Sequence, residues 1–359
     1  MRAPSHAGGS GARLSPLSGL AVIALLALAM FLAALCLGPV SIAPQRVFQV
    51  ILDALAGVPS GNGYGVRERV VVLDVRLPRA VLGALVGAGT AVAGAIMQGV
   101  FRNPLADPGL IGVAPGAAFA AVGFIVLGGS LSLALPPFLQ AMTLAFTAFA
   151  GGLVTTLLIG RLAMREGYTS IATLLFAGLA IGALASAGTG VLIFMATEQQ
   201  SREFLFWTMG SLGGATWLKA GLAAPFVLAM LAAGPVLARG LDALALGEAE
   251  AFHLGIRVER LKRAAIIAVA GGVGASVAAC GVIGFVGLVV PHLVRLSLGP
   301  GHRILLPASS LLGAAVLLAA DIAARLLAAP AELPLGVVTA LVGAPFFLWL
   351  LMQRRTALG

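Results

Sequence analysis

The chain has 359 residues, of which 60% are hydrophobic and only 10% charged, against roughly 25% charged in an ordinary soluble domain. So large an apolar share excludes a water-soluble globule and points to a polytopic membrane protein. The formal charge of +9 does not argue for nucleic acid, because basic residues flanking membrane helices give the same excess, and a nucleic-acid face would need a clustered basic stripe.

A spanning helix needs about 20 apolar residues, so the stretches between charges mark the spans in chain order. A short tail, residues 1–15, precedes an apolar run from about Leu17 to Leu37. That run exceeds the hydrophobic region of a signal peptide and no small-residue cleavage site follows it; it reads as the first span. Beyond the loop GVPSGNGYG (57–65), the uncharged interval 80–101 gives a second span. The 53-residue interval 108–160 must hold two, broken near LGGSLSLALPP. A fifth span lies at about 170–195 and a sixth at 220–238. The interval 264–294 is either one long span or one span and a short helix starting after GVIGF; the intervals 304–320 and 333–353 bring the total to nine or ten.

The basic residues separate these options. With ten spans and the N-terminus inside, 14 of the 22 lie on the cytoplasmic side: Arg2, Arg13, Arg102, Arg161, Arg165, Arg239, Arg257, Arg260, Lys262, Arg263, Arg295, Arg303, Arg354 and Arg355. Without the short eighth helix the division is 11 against 11. The positive-inside rule selects ten. The expectation is an all-α membrane protein with about ten spans in one unit, residues 16–355, and both termini cytoplasmic. Gly83 with Gly87, and Gly178 with Gly182, form GxxxG pairs suited to close helix packing in lipid. The charges nearest to the interior of a span are Asp321 and Arg325, which counts against proton coupling, since proton relays keep ionisable groups near mid-membrane. Cys36 and Cys280 both lie in apolar runs, so neither a disulfide framework nor a metal site is suggested.

The stretch VRLPRAVLGALVGAGTAVAGAIMQGVFRNPLADPGLIGVAPGA (75–117) carries the most information. Arg76 and Arg79 straddle Pro78 at the start of an apolar helix, where proline suits the first turn. Asn103, Pro104, Asp107 and Pro108 force a tight reversal at its other end. By chemistry alone this is an interfacial anchor followed by a helix-ending turn. With GVIGFVGLVVPHLVRL (281–296), HRILLPASSLLGA (302–314), ADIAARL (320–326) and AELPLGVVTALVGAPFFLWLL (331–351), it resembles the permease family of type II ABC importers (FecCD-like). Members of that family carry cobalamin, ferric siderophores or heme. The resemblance runs from about residue 70 to 353, in the family's order and spacing.

The resemblance implies a ten-span subunit that pairs into a homodimer in the bacterial inner membrane. It implies that Arg76, Arg79 and Arg325 face the periplasm and receive acidic residues of a substrate-binding protein, through charge-assisted Arg–carboxylate pairs. The other reading of Arg325 is an i,i+4 pair with Asp321 on one helix face, and a guanidinium has donors enough for both partners. Asn103 and Leu105 match the family's cytoplasmic turn, part of an inner gate. Its companion precedes span five, where Thr169 and Ser170 stand slightly earlier than the family's hydroxyl pair, and span five lines the pathway.

Energy has to come from elsewhere. A P-loop needs a Gly-Lys pair, and Lys219 and Lys262 each follow a leucine. The four histidines form neither a catalytic nor a metal cluster, and His292 in VVPH matches a structural pattern of the family rather than a heme ligand. The chain is therefore expected not to be an enzyme, with ATP and Mg held by partner ATPases. The polar stretch LDALALGEAEAFHLGIRVERLKR, within the cytoplasmic loop at 240–262, is where those partners would grip. Gly247 and Gly255 bracket a helix-capable run, Glu248–Leu254, and the family places coupling helices there. Leu246, Gly247, Glu248, Ala249, Phe252, Leu254 and Gly255 are the candidate contacts. The run MQGVFRNPLADPGLIGV is closer in character to heme and iron-complex permeases than to cobalamin ones; an ion-driven secondary transporter is the rival class.

Overall fold

The structure is a computed structural model that describes residues 15–58, 64–128, 136–165 and 167–356. The tail through residue 14, most of the break expected near LGGSLSLALPP and part of the GVPSGNGYG loop lie outside the described residues.

Helix α1 (Pro16–Cys36) starts where Ser15 accepts a hydrogen bond from the Ser18 N–H and proline takes the first turn, the arrangement that satisfies orphan amides at a helix start. Helix α2 (Pro44–Leu55) buries Val47 and Val50 while exposing Phe48, Leu52 and Leu55, as expected of a helix lying along a boundary. Helix α3 (Val66–Val70) runs through a wide π-type turn, Val71–Arg76, into α4 (Leu77–Val100). The helix thus begins more than two turns before Pro78, where the sequence reading started it. The wide turn explains how. Pro78 cannot donate the usual i→i−4 bond and its ring crowds the preceding turn, and the shift to i→i−5 pairing, seen from Leu77 N–H to the Val72 carbonyl, makes the room.

After a 3-10 turn, Pro108–Ile111, come α5 (Val113–Leu127), α6 (Pro137–Leu162), α7 (Ile171–Met195) and α8 (Glu198–Thr208). A two-strand hairpin, Met164–Arg165 paired antiparallel with Tyr168–Thr169, sits between α6 and α7. Then follow α9 (Trp217–Leu246), α10 (Glu248–His253), α11 (Val258–Cys280), α12 (Val286–Leu298), α13 (His302–Leu327) and α14 (Leu335–Thr356). Among the described residues, seven helices are long and apolar enough to cross a membrane, and three shorter apolar ones, within α5, α12 and α14, complete ten. The short helix after GVIGF is therefore present. Gly281 and Phe285 adopt positive φ, 76° and 66°, and break the 264–294 interval between them. A Cβ on Gly281 would stand 2.1 Å from the Trp207 carbonyl oxygen, so glycine is required there on two counts.

Helix α4 is the centre of the molecule. It is buried along nearly its whole length and packs against α9, α11, α12 and α13. A Cβ on Gly87 would meet the Gly313 carbonyl oxygen at 2.3 Å, and one on Gly94 would meet that of Gly287 at 1.7 Å. Both glycines of the 83/87 pair, and Gly178 of the second pair against Leu110, serve close packing. Helix α7 is the opposite case: only Leu174 and Gly178 are buried along it.

Candidate docking, gating and coupling sites

The three arginines gather at one end of the bundle, where α1 finishes and α4 begins. Arg79 donates from Nε and Nη2 to Asp321 at 2.9–3.2 Å and from Nη1 and Nη2 to Glu332 at 2.9 Å. Arg325 pairs with Asp321 at 3.1 Å and donates to the Leu37 and Ala34 carbonyls at 2.9 and 3.4 Å. Arg76 donates to the Leu35 and Cys36 carbonyls at 2.8 and 2.9 Å and also to that of Val40. Arg76 and Arg325 together therefore cap the end of α1, whose last carbonyls have no partner inside the helix and carry its partial negative charge.

Within the chain, then, all three arginines already have partners. Arg76, Arg79 and Arg325 are 4%, 8% and 4% exposed, and every guanidinium is engaged within the chain. The physical reason is desolvation: a guanidinium this deep needs partners at hand, and helix-end carbonyls and two carboxylates supply them. The i,i+4 alternative for Arg325 is what the structure contains. Glu332, on the loop before α14, is the most accessible member, with its side chain 34% exposed. Hydrogen bonds from Arg79 hold its carboxyl below the usual range, against the opposing effect of partial burial. Sequence reading missed Glu332 although it lies in AELPLGVV, because nothing in spacing links positions 253 residues apart.

The opposite end carries the turn between α4 and α5. Asn103 accepts from the Leu105 N–H at 3.0 Å and Asp107 from Gly109 at 2.7 Å, side-chain turns that stop one helix and start the next. Burial pushes the Asp107 carboxyl up, partly offset by that bond to Gly109. Ser170 caps α7 through the Thr173 N–H, and Thr169 is buried. Phe101, Arg102, Thr169, Ser170 and Glu248 line one cleft of about 480 Å³. Asn103 and Leu105 lie just beyond Arg102 on the same turn, so the two candidate gate segments and the start of α10 meet at one place.

Helix α10 is bounded by Gly247 and Gly255, with φ of 134° and 80°. The helix ends at His253, and Leu254 follows as its cap. Its Ala251 is fully buried, while Leu246, Phe252 and Leu254 are 68%, 72% and 59% exposed. Ala249 is exposed as well. Glu248 turns inward to Lys262 at 2.9 Å. Large apolar side chains held out beside acidic ones on a polar loop are the mark of a docking surface. Among the described residues, no His/Cys/Asp/Glu group is arranged to hold a metal ion. His292 is buried 6.5 Å from the ring of Phe346.

Ten apolar helices, one of them buried at the centre, with a short helix of exposed apolar side chains presented at one end, define a multi-pass membrane transport subunit. The chain belongs to the FecCD transport family, whose model matches residues 25–353, and so is a type II ABC importer permease, a transport component rather than an enzyme. The hemin transport system permease protein of Yersinia pestis is 47% identical over 283 residues, covering 79% of this chain and 83% of that protein. The vitamin B12 import system permease protein of Escherichia coli is 41% identical over 315 residues, covering 85% and 92%. A metal-chelate type ABC transporter solved in an inward-facing conformation superposes with a TM-score of 0.77 at 32% identity, covering 94% of this chain and 99% of that one.

Proposed function

We propose that this permease moves an iron complex, heme or a ferric siderophore, from a periplasmic binding protein across the bacterial inner membrane. It works as a homodimer with two ATPase subunits. The observation that carries the reading is the exposure of Leu246, Phe252 and Leu254 at one end of the helix bundle, in a chain that has no nucleotide motif. The α10 end is then cytoplasmic, together with both termini, and the arginine end periplasmic. Asn103, Leu105, Thr169 and Ser170 form the inner gate around the shared cleft. Helix α7, with little buried surface, lines the pathway against its copy.

Docking of the binding protein takes place over the arginine cluster by exchange. Three guanidiniums meet two carboxylates there, which leaves one positive charge in excess, and a carboxylate of the partner can replace the accessible Glu332 on Arg79. For the cargo, the identity to a hemin permease supports heme; the vitamin B12 permeases at 40–44% support cobalamin as the second reading. The test is uptake into proteoliposomes holding the permease, the ATPase and the cognate binding protein. Heme or ferric siderophore should stimulate ATP hydrolysis and accumulate. Stimulation by cobalamin alone would replace the cargo, and uptake driven by an ion gradient without ATP would overturn the importer reading.

A further inference from the structure

Among the described residues, Lys262 is the largest side chain to be fully buried, at 1% exposure. Its ammonium donates to three groups that belong to three different elements. They are the Glu248 carboxylate on α10 at 2.9 Å, the Glu259 carboxylate on its own α11 at 3.2 Å, and the Thr169 carbonyl of the hairpin at 3.1 Å. Glu259 closes the ring by accepting from the Thr169 N–H at 2.8 Å. All three donor positions of the ammonium are therefore used, and both backbone groups of Thr169 are held by charged side chains.

We propose that Lys262 is a positioning residue that passes movement of the ATPase-gripped helix α10 to the gate hairpin through its second strand, Tyr168–Thr169. The inference rests on the reading of α10 as the coupling helix. A salt bridge alone would be a weak stabiliser, because burying an ammonium costs about as much as pairing returns. An apolar residue would fill the same space without that cost. What an apolar residue could not do is hold a carboxylate on one element and a carbonyl on another in fixed register. The bonds join at one atom the piece touched by the ATPase and the segment bordering the cleft with Phe101, Arg102 and Ser170. The linkage is short and polar, so it is rigid along its length.

The experiment uses the assembled permease–ATPase complex with its binding protein in proteoliposomes. Lys262→Met, which keeps the length of the side chain, should leave co-purification and ATP hydrolysis in place while uptake per ATP hydrolysed falls by about 5- to 150-fold, the usual range of a coupling between sites. Spin labels at Tyr168 and His253, exposed positions on the same two elements, should keep one separation with and without ATP in the protein with Lys262 intact, and change it in the variant. If Lys262→Met does not fold, Glu259→Gln, which weakens the ring at a carboxylate 20% exposed, provides the same readouts. Wild-type uptake per ATP in either variant, or a wild-type label separation that changes with ATP as much as the variant's, would overturn the proposal. Absence of ATP-driven uptake by the wild-type complex would instead sink the importer reading on which it rests.

Discussion

Replacing Asp321 with Asn isolates the electrostatic part of the arginine cluster, because the side chain keeps its size. Asp321 is 3% exposed at its side chain and holds both Arg79 and Arg325 within 3.2 Å. Removing one partner from a buried ion pair costs about 3–5 kcal/mol, whereas an exposed pair is worth about 0–1 kcal/mol. Two features place the expected loss at the lower end of the buried range, about 3 kcal/mol. Arg79 keeps Glu332, and Arg325 keeps the carbonyls of Leu37 and Ala34. The measurement is a denaturant titration in mixed micelles, followed by thiol labelling of Cys280, which is 6% exposed in the folded chain. A loss below about 1 kcal/mol, the worth of a solvated pair, would refute the reasoning, since it would mean that water already screens the cluster.

Three further outcomes follow from neighbouring features. Glu332→Gln should lower stability at neutral pH, and the difference from wild type should shrink as the solution is acidified. A carboxyl held low in the folded state contributes fully above its unfolded value and loses that contribution as pH falls through the folded one; a difference independent of pH down to strong acid would remove the pair with Arg79 as its cause. Gly94→Ala should cost about 3 kcal/mol or more, the upper end for overpacking, because the obstruction at 1.7 Å is the backbone oxygen of Gly287; Gly221→Ala, with nothing within 4 Å, is the control and should be neutral or better in the same titration. Phe252→Asp should reduce ATPase co-purification by an amount typical of an interface hot spot, about 2 kcal/mol or roughly 30-fold; a complex of normal yield would argue against α10 as the docking helix.

The span count was legible because charge is so scarce. Each interruption of the apolar text marks an interface, and even the short α12 could be inferred from where Arg295 and its successors had to lie. The same scarcity misled the reading near residue 66. Arg67, Glu68, Arg69, Asp74 and Arg76 interrupt the apolar run, so the helix was expected to start after them, although it passes through all five. Helix α8 fell between two uncharged intervals and was given no element, since Glu198, Arg202 and Glu203 interrupt the apolar run there. The bracketing of α10 by Gly247 and Gly255 was readable because positive φ has a residue-type signature. The partners of Arg79 and Lys262 were not. They come from contacts across 242, 253 and 93 residues, and a sequence names the charged groups without saying which of them burial forces together.

The glycine crossings of α4 divide the molecule into parts that can and cannot turn. Where Gly87 lies on Gly313 and Gly94 on Gly287, backbone rests on backbone with no side chain between them to change rotamer. Such surfaces do not slide by degrees; they hold, or they separate altogether. Helices α4, α12 and α13 therefore form one frame, held together by backbone contact. The moving wall has to be built from helices joined to it by larger, repackable side chains. Helix α7, which packs on α5 and α6, stands outside that frame, and the frame's edge is drawn in the sequence by the size of the residues at each crossing.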